Sequence, residues 1–358
     1  MMDISGVFSR SVRVLAVALL FAAPAVAQEI QIEPGGTVVF PQIAFPPSSY
    51  YSEAGTNSTI EHIETERSLK GLPTEEFNSA LFGPRLERTR ASFPVSIEAA
   101  EIGGVPVLVY EPEGGVAPKS RDRLIINLHG GGFVGCFVEC GGLESIPLAS
   151  MTGLRVVSVD YRVYPQVTFP AATDDVEAVY RALLEEYPAS QMAIYGCSAG
   201  GWLTAQALAR FHAVGLPQPA AAAILCSGDG LGWGGDSRIT GTILGDGELP
   251  RTPGGGQPGG YMTTARPEDP TANPVNHPET LATFPPTLIG VGTRDFAMSS
   301  AIQLHRMLVL QGVDTRLHVW DGGRHAFYYD IRVPESLEVF SVISRFLTDH
   351  LNDDPQAP

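Results

Sequence analysis

A serine flanked by small residues lies in the middle of the sequence, where residues 196–200 match the pattern G-x-S-x-G. The apolar run 192–195 precedes it and a helical pattern follows, which predicts a sharp strand-to-helix turn. Small neighbours suit such a tight turn, and the helix N-terminus behind it favours developing negative charge. The pattern therefore predicts that Ser198 is a nucleophile, with a purely structural glycine-rich turn as the alternative.

A second glycine-rich segment, HGGGF, begins at His129 directly after the predicted strand 124–128. Attack of a serine on a carbonyl carbon creates an oxyanion, which preorganised N–H donors stabilise. Glycines let the backbone approach the reacting group closely enough to supply those donors. We therefore predict an oxyanion hole formed by the amides of Gly131, Gly132 and Ala199, with a flexible glycine loop as the alternative. His129 itself is interpreted as a structural residue.

A histidine and an aspartate, each placed after a predicted strand, are candidates for the catalytic partners of Ser198. His325 follows the strand 316–320 through a short glycine-containing turn, and Asp295 follows the strand 287–291. A histidine in such a loop accepts the proton of a serine, and a carboxylate orients its imidazole. Asp321 is the rival acid, but it lies too close to His325 in sequence to reach round the ring easily. These two residues and the serine are therefore predicted to form a triad.

The segments that position these residues alternate between short apolar runs and helical patterns. The predicted strands are 95–102 and 106–110, which form a hairpin, then 124–128, 156–159, 192–195, 221–226, 287–291 and 316–320. Helical spacing predicts helices at 171–186, 200–213, 299–311 and 335–351. Such alternation predicts an α/β sandwich, with a mostly parallel sheet of about eight strands and helices on both faces.

The composition of the sequence changes along the chain and predicts a catalytic domain at 94–351 with further segments before, within and after it. Residues 28–93, a mixture of loop and polar helical sequence, are interpreted as an N-terminal cap segment. Residues 228–276 are rich in Gly and Pro, and a loop this long inside a compact domain is usually functional or disordered. We interpret it as an insertion that covers Ser198 together with the cap segment, and residues 352–358 as a tail.

The first 27 residues have the three parts of a secretory signal peptide. Arg10 and Arg13 precede an apolar run, 14–21, that is too short to span a bilayer comfortably, and residues 25–27 offer a small-residue cleavage site. We therefore predict cleavage near Ala27 and export to the periplasm or the exterior, with an uncleaved anchor helix as the alternative. No later stretch is long and apolar enough to predict membrane insertion.

The net charge and the cysteines indicate which binding partners, disulfides and metal sites to expect. The formal net charge is −16, and loss of the leader, with two Arg and one Asp, makes it −17. Such a surface repels phosphate backbones, so no nucleic-acid partner is expected. An oxidising compartment permits a bridge between Cys136 and Cys140, which the sequence leaves open, whereas Cys197 and Cys226 are interpreted as buried thiols. The spacing does not predict a zinc site.

Taken together, the motifs resemble the hormone-sensitive lipase family of esterases over roughly residues 95–351. The resemblance is carried by HGGGF, by DYR at 160–162, by FPAA at 169–172 with Asp174, by GCSAGG from Gly196, by GTRD ending at Asp295 and by GRHAF around His325. It implies an α/β-hydrolase fold with a cap and the chain order nucleophile, acid, base. It also implies small or short-acyl esters as substrates, with no metal or organic cofactor.

Two positions depart from the family pattern. Cys197 stands where the family often has Asp or Thr, and residues 164–166 read YPQ in place of Ala-Pro-Glu. The expected function is a serine carboxylic ester hydrolase acting through an acyl-enzyme, with a deacetylase or lactonase of the same mechanism as the alternative. A non-catalytic binding protein, as among the plant hormone receptors that resemble this family, is disfavoured by the presence of His325. The oligomeric state is open, a homodimer being one option.

Overall fold

The computed structural model of the protein describes residues 30–34, 36–39, 43–228, 234–249 and 260–352. The predicted signal peptide, the glycine-rich centre of the insertion and residues 353–358 of the predicted tail lie outside the described residues. Residues 30–46 belong to a separate unit, in which β1 (Gln31–Ile32) pairs antiparallel with β2 (Val38–Val39). Among the helices of the described residues, none has the length and apolar character needed to cross a membrane.

A mixed sheet forms the centre of the second unit, which begins at Pro47. Its strands are β3 (Val95–Ile102), β4 (Val105–Pro112), β5 (Leu124–Leu128), β6 (Arg155–Val159), β7 (Met192–Cys197), β8 (Ala221–Leu225), β9 (Thr287–Arg294) and β10 (Thr315–Arg324). Their order is β10-β9-β8-β7-β5-β6-β4-β3, and only the β3–β4 and β4–β6 pairs are antiparallel among these strands. The predicted mostly parallel sheet of eight strands is therefore confirmed.

Helices cover both faces of this sheet. They are α1 (Glu53–Ser68), α2 (Thr74–Ser92), α3 (Phe137–Thr152), α4 (Ala171–Leu183), α5 (Ala199–Ala213), α6 (Ser237–Gly241), α7 (Pro278–Leu281), α8 (Met298–Leu310) and α9 (Pro334–Asn352). The predicted helices correspond to α4, α5, α8 and α9. Two long helices, α2 and α3, were not predicted, because Pro84 and Pro147 interrupt their patterns.

The core lies on the two sides of the sheet. Successive residues of a strand point to opposite faces, so Ile125 and Ile126 of β5 belong to different apolar clusters. Ile126 packs in the cluster that includes residues of α4, α5 and α8. Ile125 packs in the cluster that includes residues of α3 and α9. The continuous apolar runs of β5, β7 and β8 are buried at every position, as expected for parallel strands covered on both faces.

The helices α1 and α2, called the cap helices below, are held to the catalytic region by polar contacts around Asp330. This fully buried carboxylate accepts hydrogen bonds from the Ser58 hydroxyl at 2.8 Å and from Arg332 Nε at 2.9 Å, and it lies 3.8 Å from an Arg88 nitrogen of α2. Burial alone would raise the pKa of Asp330, but the hydrogen bonds from Arg332 and Ser58 outweigh it and hold this pKa well below its usual value. The Asp330 carboxylate therefore stays ionised at neutral pH, and it keeps its contacts with the cap helices.

Residues 260–276, which form one described part of the predicted insertion, pack into the core beside α5. The Tyr261 ring stacks on Phe133 with centroids 4.5 Å apart, and its hydroxyl accepts the Ala172 N–H at 2.7 Å. The carbonyl of Ala272 accepts a hydrogen bond from Gln206 Nε2 of α5 at 2.9 Å. These contacts make residues 260–276 part of the catalytic region's packing.

Candidate active site

The strand-to-helix turn between β7 and α5 carries Ser198. Its backbone has a φ of 56°, in the left-handed region that non-glycine residues seldom adopt. A Cβ on Gly196 would lie 2.4 Å from the Leu128 carbonyl oxygen, and a Cβ on Gly200 only 1.8 Å from the same atom. Both glycines are therefore required by the close packing of this turn against the end of β5, which places the serine beside the loop that follows Leu128.

Ser198, His325 and Asp295 form a continuous hydrogen-bonded chain. The Ser198 Oγ lies 2.8 Å from His325 Nε2, and His325 Nδ1 lies 2.8 Å from Asp295 Oδ1. An ionised carboxylate only accepts, so the arrangement assigns the ring proton to Nδ1 and leaves Nε2 to accept from the serine. The Ala297 N–H also donates to Asp295 Oδ1 at 2.8 Å, and the Phe296 ring stacks on the imidazole at 4.3 Å. The structure thus brings the three predicted residues together.

The rival acid Asp321 is engaged elsewhere. Its carboxylate accepts hydrogen bonds from the Ser48 hydroxyl and, at 3.1 Å, from the Thr293 hydroxyl. The side chain is exposed, whereas Asp295 is fully buried beneath His325. The orienting contact to the imidazole therefore comes from Asp295.

The negative charge of Asp295 affects the pKa of His325. Burial lowers the pKa of the imidazole, but the negative charge of Asp295 and its hydrogen bond outweigh this effect and raise the pKa above its usual value. A raised pKa means a stronger base, which holds a proton from a serine hydroxyl more readily. The arrangement is therefore suited to accept the Ser198 proton during attack on a carbonyl carbon.

Two glycines of the HGGGF loop lie beside the same cavity as the serine. Gly131 has a φ of 114° and Gly132 a φ of 64°, and a Cβ on Gly131 would lie 2.1 Å from the Gly135 carbonyl oxygen. Both glycines line the cavity that contains Ser198. Within the described part of the chain, the amides of Gly131, Gly132 and Ala199 donate no hydrogen bond to the protein. They therefore remain available to an oxyanion.

His129 packs beneath this loop. Its ring stacks on Tyr161 with centroids 4.2 Å apart, and its Nδ1 lies 2.6 Å from the Gly130 carbonyl oxygen, to which it donates. Burial lowers the pKa of His129 to about 4, and the backbone hydrogen bond opposes that shift only in part. A neutral, packed histidine agrees with the structural role that its sequence position indicates.

The cavity at the triad has a volume of about 420 Å³. Residues of α2 and just before it line this cavity together with Ser198 and His325. The wall residues are Leu72, Thr74, Phe77, Asn78 and Phe82, and the remaining lining residues include Val134, Cys140, Ala326 and Tyr329. The mainly apolar lining suits an acyl or alkyl group. None of the described residues of 228–276 is among those that line it.

A disulfide joins Cys136 to Cys140 next to the HGGGF loop, with their Cα atoms 5.2 Å apart. Cys140 lines the cavity, and a Cβ on Gly131 would lie 2.7 Å from Cys136 Cβ. The bridge that the sequence left open is thus part of the wall behind the glycine loop. The other two thiols, Cys197 and Cys226, are free and buried.

Cys226, Asp295 and His325 form the one group of possible metal ligands found in the described ranges, with ligand atoms within 4.8 Å of one another. Asp295 and His325 already hydrogen-bond to each other, and the proton between them would have to leave before a cation bound. The geometry is accounted for by the triad without an ion.

Two residues that support the site were missed in the sequence. Glu144 of α3 and Tyr329, after β10, meet under the HGGGF loop. One feature of the sequence marks Glu144, which is the single charged residue in the run 141–151. A lone carboxylate in such a run is either exposed or specifically hydrogen-bonded, so its position could have indicated a structural role. No comparable signal marks Tyr329 among the neighbouring aromatic residues.

Comparison with known proteins agrees with this geometry. A family model of the alpha/beta hydrolase fold matches residues 125–329, more than half of the chain. The chain is 29% identical over 239 residues to an acetyl-hydrolase of Streptomyces hygroscopicus, an alignment that covers 65% of this chain and 78% of the relative. Its fold resembles esterase E25, with a TM-score of 0.74, 27% identity, and coverage of 89% of this chain and 100% of the other.

The fold and the site together define a serine hydrolase of the carboxylesterase type. The chain belongs to the α/β-hydrolase family. It also resembles the structure of an esterase from the bacterial hormone-sensitive lipase family, with a TM-score of 0.70, 26% identity, and coverage of 83% of this chain and 99% of the other. The resemblance that the sequence motifs predict is thereby confirmed.

Proposed function

We propose that this protein hydrolyses small or short-acyl carboxylic esters, with Ser198 as the nucleophile, His325 as the general base and Asp295 as the orienting acid. The observation that supports the proposal most directly is the chain of two 2.8 Å hydrogen bonds that links the three side chains. The hydrogen-bonded triad borders a cavity beside glycine amides that donate to no acceptor in the described part of the protein, which is the arrangement that acyl transfer requires.

The reaction proceeds in two halves. Ser198 Oγ attacks the ester carbonyl carbon while its proton moves to His325 Nε2, and Asp295 stabilises the resulting imidazolium. The tetrahedral intermediate collapses when His325 returns the proton to the departing alcohol, which leaves an acyl-enzyme on the serine. Water then attacks the acyl carbon, giving its proton to His325, and the acid leaves as Ser198 regains a proton.

Charge that develops on the carbonyl oxygen is met by backbone donors. The amides of Gly131, Gly132 and Ala199 are placed near the serine and are not committed to other acceptors in the described part of the chain. The helix α5 begins at Ala199, so its positive N-terminal end also faces the oxyanion. Preorganised donors of this kind need little rearrangement as the charge forms.

The size of the acyl group is limited by the cavity wall. Phe77 and Phe82 of α2 line the cavity, and their bulky rings restrict the space available to an acyl chain. The name of the Streptomyces relative, an acetyl-hydrolase, supports the same substrate class. We therefore expect acetyl and butyryl esters to be preferred over long-chain esters.

Export is proposed on the pattern of the first 27 residues. The Cys136–Cys140 disulfide supports this location, because such bonds persist in oxidising compartments. N-terminal sequencing of protein recovered outside the cytoplasm is expected to begin near Gln28. Recovery of the full-length chain from the cytoplasm alone would contradict the proposal.

The test of the function is hydrolysis of p-nitrophenyl esters, from acetate to laurate, by the mature protein and by its Ser198→Ala variant. Turnover is expected to fall with chain length and to drop by at least about 10⁴-fold in the variant, because the variant cannot form an acyl-enzyme. Equal turnover by the two proteins would exclude Ser198 as the nucleophile. No turnover of any ester by the wild type would contradict the proposed esterase activity.

The pH dependence of kcat/KM is expected to have an acid limb set by His325. Only the neutral imidazole accepts the serine proton, and the raised pKa of His325 means that this form is lost at a higher pH than for a free histidine. Activity therefore falls as the pH decreases through a value above about 6.5. A profile recorded from pH 5 to 9 with p-nitrophenyl acetate tests this, and an acid limb below the ordinary histidine range would contradict it.

A further inference from the structure

Glu144 is a carboxylate in the middle of α3 that the proposed reaction does not use. Its side chain is fully buried, in a part of the helix where every residue from Cys140 to Ala149 is buried. No ion pair joins it to a cationic side chain within the described residues. A buried carboxylate is costly unless hydrogen bonds satisfy it, so its contacts indicate what it does.

Three donors converge on this carboxylate. Oε1 accepts the Gly130 N–H at 2.9 Å and also the Tyr329 hydroxyl, while Oε2 accepts Asn127 Nδ2 at 2.7 Å. The donor Asn127 is itself held on β5, because its Oδ1 accepts the Ser158 hydroxyl of β6 at 2.7 Å. A carboxylate therefore connects the central sheet to two separate loops.

The two loops are those that carry the proposed oxyanion donors and the proposed base. Gly130 immediately precedes Gly131, and Tyr329 lies four residues after His325. The junction is tightly packed, since a Cβ on Gly130 would lie 2.8 Å from Tyr329 Oη. A displacement of Glu144 would consequently move the peptide next to the oxyanion donors relative to the loop that follows the histidine.

Neutral donors, rather than a counter-ion, surround the carboxylate. Burial raises the pKa of Glu144 to about 7, against the opposing effect of the hydrogen bonds from Tyr329, Gly130 and Asn127. The titratable side chains whose pKa values its charge affects are tyrosines, and burial raises the pKa of each: Tyr110, Tyr161, Tyr195, Tyr328 and Tyr329. The three hydrogen bonds are thus what holds the carboxylate and the two loops in one arrangement.

We infer that Glu144 is a positioning residue that sets the geometry of the oxyanion amides against the histidine loop through its shared contacts with Gly130 and Tyr329. It touches no substrate, so its effect falls on the transition state rather than on substrate binding. The inference rests on the proposed ester hydrolysis, in which the amides of Gly131 and Gly132 receive the oxyanion. Displacement of such donors lowers kcat more than it alters KM.

The test compares Glu144→Gln, which keeps the shape but loses the charge and one acceptor, with Ile146→Val on the same buried helix. Ile146 is fully buried and contacts neither loop through a hydrogen bond, so it is a control for loss of helix packing. With p-nitrophenyl acetate, Glu144→Gln is expected to lower kcat about tenfold with KM within about twofold, whereas Ile146→Val leaves both within about twofold.

A second measurement separates oxyanion stabilisation from general loosening. An alkyl trifluoromethyl ketone adds to Ser198 through its carbonyl carbon, so that its oxygen becomes an oxyanion while the serine proton moves to His325. Its inhibition constant is expected to rise about tenfold in Glu144→Gln, in step with the fall in kcat, and to be unchanged in Ile146→Val. An unchanged kcat or inhibition constant in Glu144→Gln would overturn the inference.

Tyr329→Phe provides the same test if Glu144→Gln fails to fold. This variant removes one donor to the carboxylate and keeps the ring, so a lower kcat with a nearly constant KM supports the inference, and a wild-type kcat overturns it.

Wild-type activity on p-nitrophenyl acetate, measured first, separates the proposed function from the inference about Glu144. Activity that does not depend on Ser198 contradicts the proposed function and the inference together, whereas Ser198-dependent turnover with an unaffected Glu144→Gln contradicts the inference alone.

Discussion

Asp295→Asn is expected to lower kcat on p-nitrophenyl acetate by about 10⁴-fold, because the amide removes the charge that stabilises the imidazolium and favours the wrong ring tautomer. In the structure, Asp295 Oδ1 accepts a hydrogen bond from His325 Nδ1, and the two atoms lie 2.8 Å apart. An amide nitrogen turned towards the ring would instead donate to Nδ1, place the ring proton on Nε2 and leave Ser198 without an acceptor. The effect is therefore expected on the chemical step.

Asp321→Asn is the matched control, because Asp321 lies in β10, the parallel neighbour of the strand β9 that Asp295 follows, and the two acids are alternatives in the sequence. Asp321 is exposed and hydrogen-bonded to Ser48 and Thr293, so its replacement is expected to leave kcat within about threefold. Measurement of kcat and of the thermal midpoint for both variants distinguishes catalysis from stability. A larger loss of kcat in Asp321→Asn than in Asp295→Asn would contradict the assignment of the acid.

Gly200→Ala is expected to destabilise the folded protein by at least about 3 kcal/mol, the upper range for overpacking. The added Cβ would lie 1.8 Å from the Leu128 carbonyl oxygen, which is an atom of strand β5 and cannot move as the end of a side chain can. Either the serine turn or the end of β5 must shift. Both are in contact with the site, so the loss of stability is expected to come with loss of activity.

Gly83→Ala is the control for this substitution. Gly83 lies in α2, and the nearest atom to an added Cβ is Ser79 Oγ at 4.0 Å. Alanine there reduces the freedom of the unfolded chain, but its Cβ precedes Pro84, which disfavours the helical conformation, so the stability is expected to stay within about 1 kcal/mol of the wild type. Urea unfolding of the two variants measures the difference. An equal stability for Gly200→Ala and the wild type would show that the turn is not packed as described.

The sequence was most informative where local chemistry leaves little choice. Ser198, Asp295 and His325 were predicted because each follows a strand, and parallel strands bring such loops to one edge of a sheet. The strands β5, β7 and β8 were predicted for a similar reason, since an apolar run buried on both faces has few other solutions. The helices α2 and α3 were missed because internal prolines break the spacing from which a helix is predicted.

Contacts between distant residues were beyond the reach of sequence patterns. Glu144 and Tyr329 are 185 positions apart, and neither carries a motif, yet they share a hydrogen bond under the glycine loop. The bridge between Cys136 and Cys140 depends on a loop conformation that spacing permits but does not require. The residues of α2 that line the cavity were likewise not predicted, because their position depends on how α2 packs against the catalytic region and not on the sequence of α2 alone.

The docking of the cap helices has an evolutionary consequence. Part of the lining that we propose to set the preference for an acyl group comes from residues 72–82, whereas the proposed triad and its donors come from residues 131–325, and polar contacts at Asp330 help attach the first region to the second. The lining contributed by residues 72–82 is therefore encoded apart from the triad, although other lining residues lie next to the catalytic loops. Mutation can remodel the preference for an acyl group while the catalytic apparatus is inherited unchanged, so new specificities become accessible to selection without an inactive intermediate.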